Sequence, residues 1–298
     1  MSTIDHLSVL LERHTPRDGM HACALPGVTL IRSSAPTMPM PSIYTPSVCL
    51  VTQGRKRAAL GDRTFVYGMG DYLVAAVDLP IVGTVIEASA EAPYLCLQID
   101  LDVAVLGELA IAHPQPGPVA QPGPGLMINN VSDALAGACG RLLSLLDDPG
   151  DIAALAPLAI REILYRLLTG PAADMMRHIA LADGSLVRVS RAIGWIKDHY
   201  DQPLSIETLA AEAAMSSSAL HAHFKAVTTM SPLQYRAQLR LQEARRLMVA
   251  EGAEAAQAGF RVGYESPSQF SREYRRCFGT APAADAGKLR ASSGQTAA

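Results

Sequence analysis

The apolar residues of this chain follow one period up to about residue 100 and another beyond it. In the first stretch they come in short alternating runs, the pattern of half-buried strands. Ser42–Thr52 is apolar and β-prone. Arg57–Leu60 and Arg63–Tyr67 flank Gly61-Asp62, a dipeptide suited to a tight hairpin. Gly68-Met-Gly70 marks a further turn, then comes Asp71–Val77, which Asp78-Leu-Pro80 breaks. Thr84–Ala88 and Tyr94–Asp100 add two more strands. Such regular spacing predicts a small β-barrel or sandwich over about residues 20–100.

The period then becomes helical. Leu101–Ala112 reads as a helix, and His113–Gly125, with five prolines and three glycines, as a loop. Ser132–Leu146 and Asp151–Leu168 form a helical hairpin. Leu135, Cys139, Leu142 and Leu146 line one helix, and Ile160, Ile163, Leu164 and Leu167 the other. That apolar surface packs either on the barrel or on a second subunit. Pro171–Gly184 then leads, with a hinge at Asp183-Gly-Ser, into residues 185–298.

In this last region a pattern occurs twice. Gly263 supplies a turn, Ser266 an N-cap, Pro267 the first helical position, and Gln269 completes a Ser-x-x-Gln capping box. Phe270, Tyr274, Cys277 and Phe278 share one helix face; Ser268, Arg272, Arg275 and Arg276 fall opposite. Fifty residues upstream, Ser216, Ser218, Leu220, Phe224 and Lys225 stand in the places of Ser266, Ser268, Phe270, Tyr274 and Arg275. There Leu220, Phe224 and Val227 form the buried stripe, Ser218, Ala222 and Lys225 face outward, and His221 lies at the margin. Ile206–Ala213 is the supporting helix of this copy, capped by Ser205. Each copy reads as a helix-turn-helix whose second helix fits a major groove, arginine reading guanine edges while other groups hold phosphates. Between them, Ser231 to Met248 predicts a rod of about 27 Å at 1.5 Å per residue. One DNA turn is about 34 Å, so such a rod can hold two reading heads on successive grooves.

From about Val187 to Arg290 the chain resembles the DNA-binding domain of AraC/XylS-type bacterial transcription regulators. The matching residues are Leu209-Ala210, Met215-Ser216, Leu220-His-Ala-His-Phe-Lys225, Ser231-Pro232 with Tyr235, Ala244-Arg-Arg-Leu247, Val262-Gly263-Tyr264, Ser268-Gln-Phe-Ser-Arg272 and Phe278-Gly279. The resemblance implies a seven-helix unit with two helix-turn-helix motifs on double-stranded promoter DNA, contact with RNA polymerase, and activation rather than repression. The DNA-binding residues it marks are Ser217, Ser218, His221, Ala222 and Lys225 in the first motif. In the second they are Pro267, Ser268, Gln269, Ser271, Arg272, Arg275 and Arg276. The string Ile43–Lys56, with Val77-Asp-Leu-Pro80 and Ala92-Pro-Tyr-Leu95, resembles the N-terminal domain of one AraC-type subgroup, which implies a cupin-like barrel and a homodimer formed through the helical hairpin. The chain departs from the pattern at Ala222, often arginine in related regulators, at Gly259, a glycine inside a supporting helix, and after Pro282.

The expected fold class is therefore α+β: a cupin-like β-barrel with a helical hairpin (1–184), then an all-α domain with two helix-turn-helix motifs (185–298). The first motif spans about 205–227, the linker helix about 231–249 and the second motif about 254–278. Charge follows this division. Residues 185–298 hold 14 Lys/Arg against 10 Asp/Glu, a net +4, so residues 1–184 carry −7 of the total of −3. The basic half is the one expected on DNA.

The five cysteines are scattered, as reduced thiols of a cytoplasmic protein are. Asp5, His6, Glu12 and Arg13 near the start, and the lack of an 18-residue apolar run, give no sign of a signal peptide or membrane span. Cupin barrels often hold a metal through His-x-His with a carboxylate, but residues 22–112 contain no histidine, and His221-Ala-His223 lies on a helix. No metal, cofactor or enzymatic activity is expected. Three readings of the barrel stay open: a small, largely apolar effector held with Tyr44, Tyr72 and Tyr94 as polar handles; a barrel packed solid with its own side chains; or electrophile capture by Cys49 or Cys96.

Overall fold

The computed structural model describes residues 2–114, 123–181 and 184–295. The centre of the loop expected over His113–Gly125, and Asp183 of the expected hinge, lie outside these residues. The chain divides into two compact units, Met1–Ser190 with Ala226–Thr229, and Arg191–Lys225 with Met230–Ala298.

The first unit contains two antiparallel sheets. One orders β1 (Gly19–Ala22), β2 (Val28–Ser33), β9 (Tyr94–Asp100), β4 (Ser47–Gln53), β7 (Asp71–Ala75) and β10 (Leu126–Asn130); the other orders β3 (Met40–Tyr44), β8 (Leu79–Glu87), β5 (Arg55–Leu60) and β6 (Arg63–Gly68). Among the described residues no ladder joins the sheets, so the strands make a two-sheet sandwich instead of a closed barrel. The chain crosses between sheets at Gly54, whose φ is +76°; a Cβ there would lie 2.6 Å from the Glu87 carbonyl oxygen and 2.9 Å from Tyr94 Cα. The apolar run Ser42–Thr52 is two strands in different sheets, split at Thr45-Pro46, because proline has no N–H for a ladder. Pro80, expected to break a strand, lies within β8 opposite Ile43; β5 pairs with β8 only from Val82 onward, so the proline has a single neighbouring strand. The Gly61-Asp62 turn joins β5 to β6 with Leu60 opposite Arg63 and Gly61 at φ +60°.

Helices cover this sandwich: α1 (Thr3–Arg13), α2 (Val103–Ala112), α3 (Asp133–Ser144), α4 (Ile152–Thr169) and α5 (Ala173–Ala180). A Ser2/Asp5 capping box starts α1, which buries Leu7, Leu10 and Leu11 and packs on α3. The stripe expected to form a subunit seam is thereby covered within one subunit. Leu135, Cys139, Leu142, Ile163, Leu164 and Leu167 are buried and Leu146 and Ile160 half-buried, with α1 supplying an apolar partner. Apolar side chains left exposed on these helices include Val9 on α1, Val103 and Ile111 on α2, and Leu155 and Leu158 on α4.

Seven helices follow: α6 (Ser185–Asp198), α7 (Ile206–Glu212), α8 (Ser217–Thr228), α9 (Pro232–Ala250), α10 (Ala255–Arg261), α11 (Pro267–Phe278) and α12 (Pro282–Gln295). One core gathers Leu241, Ala244, Leu247, Met248, Ala258, Val262, Tyr264, Phe270, Tyr274 and Ala286. No described helix is long and apolar enough to cross a membrane, and no described group of three or more His, Cys, Asp or Glu could hold a metal ion.

Candidate nucleic-acid interface and interior polar cluster

The two helix-turn-helix motifs are built alike, but not at one spacing. Met215 N donates to the Ala210 carbonyl at 2.9 Å, and Tyr264 N to that of Gly259 at 3.0 Å, an offset of 49 residues. The residue with positive φ obeys the same offset: Ala214 at 51° and Gly263 at 88°. The caps stand 50 apart, since Ser216 Oγ accepts from Ala219 N and Ser266 Oγ from Gln269 N. Glu265 is therefore one extra residue in the second turn. Gly263 is required sterically, because a Cβ would lie 2.2 Å from the Asp201 carbonyl oxygen.

The second helices, α8 and α11, bury Leu220 and Phe224, and Phe270 and Tyr274, with none of their surface accessible. On α8, Ser218, His221, Ala222 and Lys225 are exposed and Ser217 is half-buried. On α11, Pro267, Ser268, Gln269, Ser271, Arg272, Arg275 and Arg276 are all exposed. The three arginines form no ion pair among the described residues, so their guanidinium groups remain available for an outside anion. Gln269 departs from its expected role. Its Nε2 donates to Glu273 Oε1 at 3.1 Å instead of closing the capping box, and Tyr264 donates to the same carboxylate at 2.9 Å.

The linker helix α9 is braced at its middle and along its second half. Arg240 donates to the carbonyls of Tyr200, Gln202 and Gly263, joining the α6–α7 loop to the second motif's turn. Arg245 makes a two-bond pair with Asp285 at 2.7 and 3.1 Å, and Tyr274 donates to the same carboxylate at 2.8 Å, tying α9, α11 and α12 together.

In the first unit a polar cluster lies between the sheets. Tyr44, Lys56 and Tyr67 come from one sheet, Cys49, Tyr94 and Cys96 from the other. Cys96 lies opposite Val51 and Cys49 opposite Gln98, so the two thiols are diagonal neighbours on one face. Lys56 Nζ sits 5.3 Å from the Tyr44 ring centre and 5.8 Å from that of Tyr94. The hydroxyls of Tyr44 and Tyr94 are buried with no partner in hydrogen-bond geometry, although Lys56 adjoins the first and Cys96 the second. The hydrogen bond from Cys49 holds the Cys96 thiol below its ordinary range against the effect of burial, with Lys56 and Tyr94 acting the same way. Burial pulls the Lys56 ammonium down, but Tyr44, Cys96 and Cys49 outweigh it and hold it above the usual lysine value. Beside the cluster, where the chain crosses between sheets, a recess of about 850 Å³ is lined by Gln53, Gly54, Arg55, Tyr67 and Glu87 among others.

Residues 24–175 match the family model for the AraC-type transcriptional regulator N-terminus, and residues 209–286 that for a helix-turn-helix domain. The chain belongs to the AraC-type transcriptional regulators. It is 27% identical over 145 residues to the HTH-type transcriptional activator RhaS of Citrobacter koseri, a match covering 48% of this chain and 51% of that protein, and equally so to RhaS of Salmonella arizonae. The chain thus spans about half the length of the curated relatives it matches. The structure of ToxT from Vibrio cholerae strain SCE256, bound to an unsaturated fatty acid, has the same fold, with a TM-score of 0.56 at 10% identity over 87% of this chain and 93% of that one.

The structure brings Tyr44, Cys49, Tyr94 and Cys96 together and leaves Tyr72 out. Tyr72 pairs with Leu50, whose side chain points away from the face of Cys49, and its hydroxyl turns towards Asn129 and the backbone of Ala172. Sequence reading missed Lys56 and Tyr67. The available signal was period two along β5, which sets Lys56 on the face of buried Ala58 and Leu60.

Proposed function

We propose that this protein is a cytoplasmic, homodimeric transcription activator whose N-terminal sandwich receives a small molecule. Residues 185–298 would grip promoter DNA in two successive major grooves. The observation that carries the reading is the pair of exposed faces, Ser217, Ser218, His221, Ala222 and Lys225 on α8 and Pro267 to Arg276 on α11, joined by a braced 19-residue helix. Those five residues of α8, with Pro267, Ser268, Gln269, Ser271, Arg272, Arg275 and Arg276 of α11, are assigned to DNA, Arg272 to a base edge and Lys225, Arg275 and Arg276 to phosphates. Contact with RNA polymerase completes the activator role. The subunits pair through the outer faces of α2 and α4, where Ile111, Leu155 and Leu158 are exposed. The effector site comprises Tyr44, Tyr94, Cys49 and Cys96, and the protein carries no enzymatic activity. Electrophile capture is the second reading, favoured by the acidity of Cys96 and opposed by the burial of both thiols.

The test is DNA selection with the full chain at fixed salt, followed by footprinting of the selected site. Two protected major grooves on one face of the duplex are expected, with affinity falling steeply as salt rises. Protection of a single groove would overturn the tandem arrangement.

A further inference from the structure

The interior cluster holds a cation without an anion. The groups acting on Lys56 are phenols and thiols, and no carboxylate pairs with it among the described residues. Lys56 is half-buried, and a charge partly removed from water gains from a counter-charge, which aromatic faces supply only in part. Tyr44 and Tyr94 add two buried hydroxyls with no partner. These groups converge. A Cβ built on Gly83 would lie 2.9 Å from Tyr44 Oη and 3.6 Å from Lys56 Nζ, so the glycine keeps both unobstructed. Tyr67 belongs to the wall of the 850 Å³ recess and also stands beside Tyr44, so this side chain lies between the recess and the cluster.

The geometry points to a ligand site for the carboxylate of a small organic acid, with Lys56 as its counter-ion and the Tyr44 and Tyr94 hydroxyls as hydrogen-bond donors. A single ammonium balances a single negative charge, which favours a monocarboxylate over a phosphate dianion. A carboxylate has lone pairs enough to accept from all three donors. Val51, Ala58, Leu73 and Val85 share the same inner faces and are buried, so the body of the acid meets apolar walls. This inference rests on reading the sandwich as the effector domain and gives that effector its chemical class.

The experiment is thermal unfolding of the full chain with a panel of straight-chain and aromatic monocarboxylates, each beside its primary amide and at matched sodium chloride. At least one acid is expected to raise the unfolding temperature of the first unit where its amide does not. Lys56→Met should weaken that acid by about tenfold or more, since charge-assisted hydrogen bonds are the strong ones. Without ligand, Lys56→Met should still unfold cooperatively in the same assay, so that a lost response to the acid is read on a folded protein. Tyr94→Phe, which keeps the ring and the charge, should weaken the acid by a smaller factor. Acids and amides acting equally, an acid acting equally on parent and Lys56→Met, or no shift with any acid would each overturn the proposal. None of these results touches the footprint on DNA, so failure here is distinct from failure of the regulator reading.

Discussion

Gly259 and Phe270 offer a test of how the second reading head is packed. Gly259 lies inside α10, where propensity alone says that alanine should be better by roughly 1 kcal/mol. The structure reverses that expectation. A Cβ at position 259 would lie 2.9, 3.0 and 3.2 Å from Cγ, Cδ1 and Cβ of Phe270, well inside the 3.5–4.0 Å at which carbons attract. The ring has little room to yield, with Tyr264 and Tyr274 each at a ring separation of 5.4 Å. Overpacking of this kind costs about 1–3 kcal/mol. Gly259→Ala should therefore leave the second unit about 0–2 kcal/mol less stable. The first motif shows the other solution. By hydrogen-bond register its equivalent of Gly259 is Ala210, and its equivalent of Phe270 is the smaller Leu220.

The control is Gly194 in α6, where a Cβ would meet nothing within 4 Å. Gly194→Ala should stabilise the same unit by about 0.5–1 kcal/mol. Trp195, the single tryptophan, lies in this unit, so urea unfolding of the full chain followed by its fluorescence reads both variants. Gly259→Ala combined with Phe270→Leu should be more stable than the sum of the single effects predicts, the signature of contacting residues. If Gly259→Ala stabilises as much as Gly194→Ala, the steric account of this glycine is wrong.

Two further outcomes are expected. Arg272→Ala should cost about 1–3 kcal/mol at one or two base pairs and relax selectivity there, whereas Ala222→Ser should change little; binding to single-base variants of a selected site at fixed salt measures both, and a uniform loss over all variants would make Arg272 a phosphate anchor. Leu142→Asp places a charge in a site with no accessible surface and should unfold the first unit, at a cost above about 3 kcal/mol, while Leu158→Asp on the exposed face of α4 should leave it folded and shift sedimentation towards the monomer. A folded Leu142→Asp monomer would restore the hairpin stripe as the subunit seam.

The reading heads were legible because their signals are local. A cap, a turn and a helical face all fall within about twenty residues, and two copies confirm each other. What the sequence hid was decided by distant partners. β10 pairs with β7, Leu126 opposite Ala75, across a stretch with no strand signal of its own. The partner of the α3 stripe, the Leu7, Leu10 and Leu11 face of α1, lies far upstream in sequence. Lys56 stands in one basic run with Arg55 and Arg57, but those two are exposed and Lys56 alternates inward. Tyr72 was counted with Tyr44 and Tyr94 by residue type, and strand register assigns it to the opposite face.

The two heads differ in how firmly each is held to the helix that joins them. α9 spans 19 residues, about 28 Å at helical rise, so the separation of the motifs is fixed by a rod and not by a tether. Arg240 ties the middle of this rod to the turn of the second motif through Gly263 and to the α6–α7 loop through Tyr200 and Gln202. Arg245 and Asp285 hold its far half to α11 and α12. The second head is thus clamped to the rod at its turn and along its recognition helix, and it also carries the three unpaired arginines. A clamped helix loses little freedom on docking, so its contacts translate more fully into discrimination between bases. The first head presents a methyl group at Ala222 where the second presents Arg272, and suits close approach to the duplex more than guanine readout.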